Sequence, residues 1–215
     1  MGENGSANAD KMENGGDDDD KDDPLSDEQY GYPKAETDRW VSWIRVLDPR
    51  SATTTCLREL QENEAALSVC TVNFHDKEHG TLLAFGTAKG LQFWPKRSLT
   101  AGFIHIYKFV DDGKSLELLH KTQVGGVPLA LCRFQGRLLA GIESVLRFYD
   151  LGKKRLYIFA DDSVPRWLIA SYHVDSDTMA GAHKFGDVYF ARLPQDLSDE
   201  IEDPSGGNKV GAGKA

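Results

Sequence analysis

One strand phrase recurs along this 215-residue chain. Leu82-Leu83-Ala84-Phe85-Gly86 leads through a loop to Gly102-Phe103-Ile104-His105-Ile106-Tyr107-Lys108-Phe109. Leu138-Leu139-Ala140-Gly141 leads to Val145-Leu146-Arg147-Phe148-Tyr149-Asp150-Leu151, and Thr178-Met179-Ala180-Gly181 to Val188-Tyr189-Phe190-Ala191-Arg192-Leu193. The second and third copies start 40 residues apart. The first and second start 56 apart, because loop 87–101 is longer. Short strands repeating at about 40–45 residues have the spacing of propeller blades. The predicted fold is all-β: an incomplete WD40-like β-propeller of antiparallel blades, preceded by a disordered acidic tail.

Charge is distributed unevenly. Residues 1–33 hold 11 acids and two bases, which accounts for the whole net charge of −9. The rest balances 23 acids against 23 bases, so it carries no overall basic field to attract phosphate backbones. Rich in Gly, Asn and Asp, residues 1–33 bury too little apolar surface to offset chain entropy. The run Asp17, Asp18, Asp19, Asp20, Lys21, Asp22, Asp23 reads as a solvating segment. Its functional reading is a tether for basic partners or a decoy for nucleic acid, and Asp17 to Asp20 are the candidate partner contacts. Cys56, Cys70 and Cys132 all lie in apolar runs. An odd count without close pairing reads as buried free thiols rather than a secreted disulfide framework. The acidic start is the reverse of a signal or transit peptide. No run reaches the roughly 18 apolar residues of a membrane helix, so no membrane partner is expected.

Strand signals divide the remainder. Residues 40–47 alternate up to the turn Asp48-Pro49, and the threonine-rich 53–60 pairs back as a hairpin. Segments 66–74 and 127–134 each open a blade and each end in Phe with Cys nearby. Asp111-Asp112-Gly113, Gln135-Gly136 and Gly152 with Lys153-Lys154-Arg155 mark turns. No helix of ten residues is convincing; 57–66 is the nearest candidate. About eleven strands can be placed, enough for two blades and parts of a third and fourth. A closed propeller needs at least four blades, so either the chain is a piece of a larger one or partner strands complete it. The expected division is a disordered tail over 1–33, a partial propeller over 34–203 and a disordered glycine-rich tail over 204–215.

Reactive constellations are sparse. His75 and His79 have i,i+4 spacing, but Gly80 ends the segment and it joins two strands, so a polar loop is the better reading. Asp161-Asp162 and the pair Asp175, Asp177 read as turn acids capping strands rather than a cation site. Ser163 and Ser171 lack a nucleophile signature. Residues 206–215 imitate a phosphate loop, yet Asn208 takes a glycine position, Ala215 the hydroxyl position, and no helix follows. No catalytic, cofactor or metal residues are assigned.

Longer phrases carry a family resemblance. Asn63-Glu64-Ala65-Ala66, Leu119-His120-Lys121-Thr122, Phe134-Gln135-Gly136-Arg137-Leu138-Leu139, Tyr149-Asp150-Leu151-Gly152-Lys153-Lys154, Pro165-Arg166-Trp167 and Lys184-Phe185-Gly186 resemble the splicing factor 3b subunit 3 family. The wording of 69–77 and of Lys89-Gly90-Leu91-Gln92-Phe93-Trp94-Pro95-Lys96 is similar to its plant form. The likeness extends from about Tyr30 to Asp203. More distant likenesses are to the large subunit of the damaged-DNA-binding complex and the largest subunit of the cleavage and polyadenylation specificity factor. The resemblance implies a nuclear, non-enzymatic scaffold in pre-mRNA splicing that serves assembly of the branch-site recognition particle. Its implied partners are a helical-repeat subunit and small companions, with RNA reached only through the complex. Against the family, the chain starts late, joins Leu156 directly to Tyr157 where about a blade is expected, and ends in glycine-rich sequence. It therefore reads as a truncated copy. His183 and Asp187 replace the family's acid and Asn, and Glu143-Ser144 replaces a Gly-rich turn. The distant relatives suggest an alternative, a nucleic-acid or damaged-DNA binder. A third reading, an enzyme on a propeller scaffold, would have to work through residues such as His75, His79 or Asp175.

Overall fold

The computed structural model describes residues 39–75, 79–163 and 167–193. The chain divides into two units, Met1–Tyr32 and Pro33–Ala215, and the described residues belong to the second. They form thirteen strands and no helix. Four antiparallel sheets result. The first is a hairpin of β1 (Trp43–Asp48) and β2 (Thr53–Glu59). The second runs β3 (Glu64–Val72), β4 (Leu82–Lys89), β5 (Ala101–Val110), β6 (Ser115–Val124). The third runs β7 (Pro128–Phe134), β8 (Arg137–Ile142), β9 (Val145–Leu151), β10 (Leu156–Ser163). The fourth has three strands, β11 (Leu168–His173), β12 (Thr178–His183) and β13 (Val188–Arg192).

Each sheet is laid down in sequence order, a meander of antiparallel neighbours. The opening strands of successive sheets meet, β3 against β7 and β7 against β11. Ser68 Oγ donates to Pro128 O at 2.8 Å across the first of these junctions. This is the arrangement of propeller blades about a shared edge, and no sheet closes into a barrel.

Packing explains why the recurring phrase is apolar throughout. Sheets sandwiched between neighbours bury both faces and lose the polar alternation of a half-solvated sheet. Ile44, Leu60, Phe85, Tyr107 and Leu116 fill the space between the first and second sheets. Val72, Leu82, Ile104 and Ile106 meet Leu131, Leu138 and Tyr149 between the second and third. Phe134, Leu139 and Leu146 meet Leu168, Met179 and Leu193 between the third and fourth. Beyond the fourth sheet the outer face carries Tyr172, Val188 and Phe190, all exposed.

One turn and one close approach are fixed by chain chemistry. Gln135 and Gly136 both adopt positive φ (45° and 64°), the tight hairpin geometry that keeps β7 and β8 in register. Gly141 allows close approach, because a Cβ there would stand 2.5 Å from Leu168 Cδ2 of the next sheet.

Several expectations need correction. The segment 57–66, already unconvincing as a helix, is the end of β2, a turn and the start of β3, since each half finds sheet partners. The described residues hold thirteen strands, more than the eleven expected, and Leu168–His173 is one whose apolar pattern Ala170 and Ser171 break. Asp161 and Asp162 lie inside β10 rather than in a turn, and Asp161 Oδ2 meets Arg147 Nε at 3.3 Å. All three cysteines are free, but only Cys132 is buried, and Cys56 and Cys70 are partly exposed. The Cys70 thiol is pushed up to about 12, chiefly by burial. The two tail expectations, the candidate contacts Asp17 to Asp20 among them, lie outside the described residues.

Candidate interaction surface

Because the strands alternate in direction, the β4–β5, β8–β9 and β12–β13 connections emerge at one end of the sheets. The segments entering β1, β3 and β11 emerge there too. Hydrogen bonds confirm the clustering. Glu143 N donates to Val127 O, Leu168 N to Glu143 O, and Lys184 N to Trp167 O. Three of the four tryptophans, Trp40, Trp94 and Trp167, lie on this loop face.

The face has two parts. The first is a cation–aromatic stack. The Arg97 guanidinium sits 3.1 Å from the centre of the Trp167 ring and donates to Glu143 Oε1 at 3.2 Å. Lys184 Nζ lies 5.7 Å from Trp167 and 5.9 Å from Phe185. Such contacts are worth about 0.5–1 kcal/mol each at exposed sites. Here they hold the loops of the second, third and fourth sheets together.

The second part is a cleft of about 600 Å3, walled by Arg39 and Trp40 on one side and by the segment 91–95 on the other. Gln92 and Ser98 bond each other through their backbones and so hold the β4–β5 loop as a small hairpin. Trp40 Nε1 donates to Leu91 O at 2.7 Å, which pins that loop to the chain entering β1. The Trp40 and Phe93 rings meet at 81° with centroids 6.2 Å apart. Phe93 is 59% exposed and Trp94 83% exposed. Arg39 pairs with Glu62, which neutralises the rim.

The most reactive-looking cluster does not assemble for catalysis. Glu64, Thr87, His105 and Lys121 lie one on each strand of the second sheet. Thr87 Oγ1 donates to Glu64 Oε1 at 2.5 Å and lies 3.2 Å from His105 Nε2; that same nitrogen is 2.8 Å from Glu64 Oε1. A hydrolytic triad needs the nucleophile and the acid on opposite imidazole nitrogens. Here both use Nε2, and Glu64, Thr87 and His105 are all buried. Burial alone would raise the Glu64 carboxyl, but bonds from His105, Thr87 and Lys121 outweigh it and bring it down to about 2.

Other sequence candidates stay apart. His75 N bonds Gly136 O in the adjacent turn, while burial holds His120 below the ordinary histidine range with His79 acting in the same direction. Asp175 and Asp177 do cap the β11–β12 turn, and Asp177 also pairs with Arg192 at 3.1 Å. His183 is buried against Tyr189, with ring centroids 4.6 Å apart. Among the described residues, no group of three or more His, Cys, Asp or Glu is placed to hold a metal ion. The residues that do converge, Trp40, Phe93, Trp94, Arg97, Trp167 and Lys184, were not singled out from sequence as a surface. The available signal was the adjacent aromatics Phe93-Trp94 before Pro95-Lys96-Arg97 in a long loop.

Known proteins resemble this sequence. The family model described as the CPSF A subunit region matches residues 41–157. Spliceosome-associated protein 130 A of Arabidopsis thaliana is 67% identical over 252 residues, covering 96% of this chain and 21% of that protein. Pre-mRNA-splicing factor rse1 of Emericella nidulans is 39% identical over 228 residues, with 85% of this chain and 19% of the relative covered. Splicing factor 3B subunit 3 of Danio rerio is 35% identical over 225 residues, covering 84% and 18%. The chain thus spans about a fifth of the length of these relatives. The Arabidopsis alignment is longer than the 215-residue chain, so that relative holds internal residues with no counterpart here. The family match itself ends at the Leu156–Tyr157 junction.

Proposed function

The chain belongs to the CPSF A subunit family, and we propose that it serves pre-mRNA splicing as a non-catalytic scaffold of the splicing factor 3b type. The observation that carries this reading is the 67% identity to a spliceosome-associated protein over 96% of the chain. The geometry supports it. Sheets that bury both faces leave loops and outer faces for contact, and the Glu64–His105–Thr87 cluster is wired as a brace rather than a nucleophile. In this reading the chain works in the nucleus and grips the helical-repeat subunit and small companions of the complex. RNA is engaged through those partners.

Affinity purification of the full chain from plant nuclei, read by mass spectrometry, tests the proposal. Stoichiometric recovery of the helical-repeat subunit supports it. Recovery of the chain alone, or a fluorescent fusion excluded from the nucleus, overturns it.

A further inference from the structure

A second cleft, of about 260 Å3, opens between the third and fourth sheets beside β10 and β13. Its two ends differ. Strands alternate in direction through the sheets, so the end of β10 stands level with the start of β13. At that end lies Asp162. It pairs with Leu146 across β10 and β9, as Ala160 does with Phe148, and both Leu146 and Phe148 pack toward the fourth sheet. Asp162 therefore faces the cleft. At the far end stand Phe134, Met179 and Leu193, all buried.

The charges around the cleft leave one unmatched. Asp161 alternates to the opposite side of β10, where Arg147 pairs with it at 3.3 Å. Arg192 turns outward to Asp177 at 3.1 Å, its side chain 74% exposed. Among the described residues no cation pairs with Asp162. Beside it the Tyr189 hydroxyl is buried without a hydrogen-bond partner, and the Asp162 charge adds to burial in raising the Tyr189 phenol.

An apolar channel that ends in a free carboxylate and a free hydroxyl selects its occupant. An anion meets the unmatched charge of Asp162. A wholly apolar side chain strips water from both polar groups and replaces none of their bonds. A basic side chain serves both ends, because its methylene stem lies on apolar surface while its head donates to the acid. The volume holds one long side chain and no helix or strand. We propose that this cleft receives a lysine or arginine side chain presented by a partner protein. The proposal rests on the cleft and not on the splicing assignment, so either can fail alone.

Met179 reports on the cleft from inside. The chain's other methionines, Met1 and Met12, lie far from it in sequence, and Met12 serves as the reference signal. The full chain, labelled with 13C at the methionine methyls, is titrated with N-acetyl-lysine N-methylamide. The norleucine analogue, the same stem without the ammonium, is titrated in parallel, as is free n-butylammonium. The lysine compound should shift Met179 saturably and bind about threefold or more tighter than the norleucine one, the worth of one exposed ion pair. Asp162→Asn changes an exposed residue, should keep the wild-type melting curve, and should erase that preference. Asp112→Asn, an exposed turn acid outside the cleft, should leave it unchanged. The proposal fails if Met179 does not shift, if norleucine binds as well as lysine, or if Asp162→Asn keeps the preference. Tighter binding of free n-butylammonium than of the blocked lysine also overturns it, since the occupant is then a small amine rather than a protein side chain.

Discussion

Glu64 and Lys121 stand on the two edge strands of one four-stranded sheet, yet Lys121 Nζ reaches Glu64 Oε2 at 2.9 Å. On the way the ammonium passes over the Phe103 ring, 4.0 Å from its centre. Thr87 and His105 fill the strands between. One buried carboxylate therefore ties all four strands of the blade.

Acid should untie it. The Glu64 carboxyl is brought from its ordinary 4.5 down to about 2. A depressed carboxyl stabilises the fold fully above its unfolded value, and that stability is lost as pH falls from about 4.5 toward about 2. The linked contribution is about 3 kcal/mol. Urea denaturation at a series of pH values should show this acid limb, and Glu64→Gln should abolish it.

Gly141 faces Leu168 across the junction of the third and fourth sheets, where a methyl group has no room. Gly141→Ala should destabilise by about 1–3 kcal/mol through overpacking. Leu168→Ala alone should cost about 2–5 kcal/mol, since Leu168 is fully buried. The double variant should be more stable than the two losses added together. A double-mutant cycle on melting curves reads the coupling.

Arg97 lies flat on Trp167 while bonding Glu143, and only a planar guanidinium does both. Arg97→Lys should keep the charge and still lose about 1 kcal/mol of loop-face stability. Faster amide exchange at Glu143, Trp167 and Leu168, with the β5 core unchanged, would register it.

Tyr172, Val188 and Phe190 form an exposed apolar face on the fourth sheet. Apolar patches of this kind draw hydrophobic dyes and self-association. Phe190→Ser with Tyr172→Ser should lower dye fluorescence several-fold and reduce light scattering, without lowering the melting temperature. Unchanged dye binding would place the sticky surface elsewhere.

Sequence alone determined the class of this protein. The recurring phrase 138–151 and its relatives at 82–109 and 178–193 specify strands because alternation and turn residues act over a few positions, within reach of local physics. Gln135-Gly136 and Asp111-Asp112-Gly113 announced their turns for the same reason. The family phrases led to the splicing factor 3b subunit 3 family, which the 67% and 35% identities to its plant and fish relatives and the family match over 41–157 bear out. Only the tertiary structure decided which side chains meet. Glu64 and Lys121 are 57 residues apart in the chain, and Arg97 and Trp167 are 70 apart, so no local pattern pairs them. Their encounter depends on the register of four strands and the stacking of three sheets. Those are set by buried volume summed over the whole core, a quantity that no short window of residues contains.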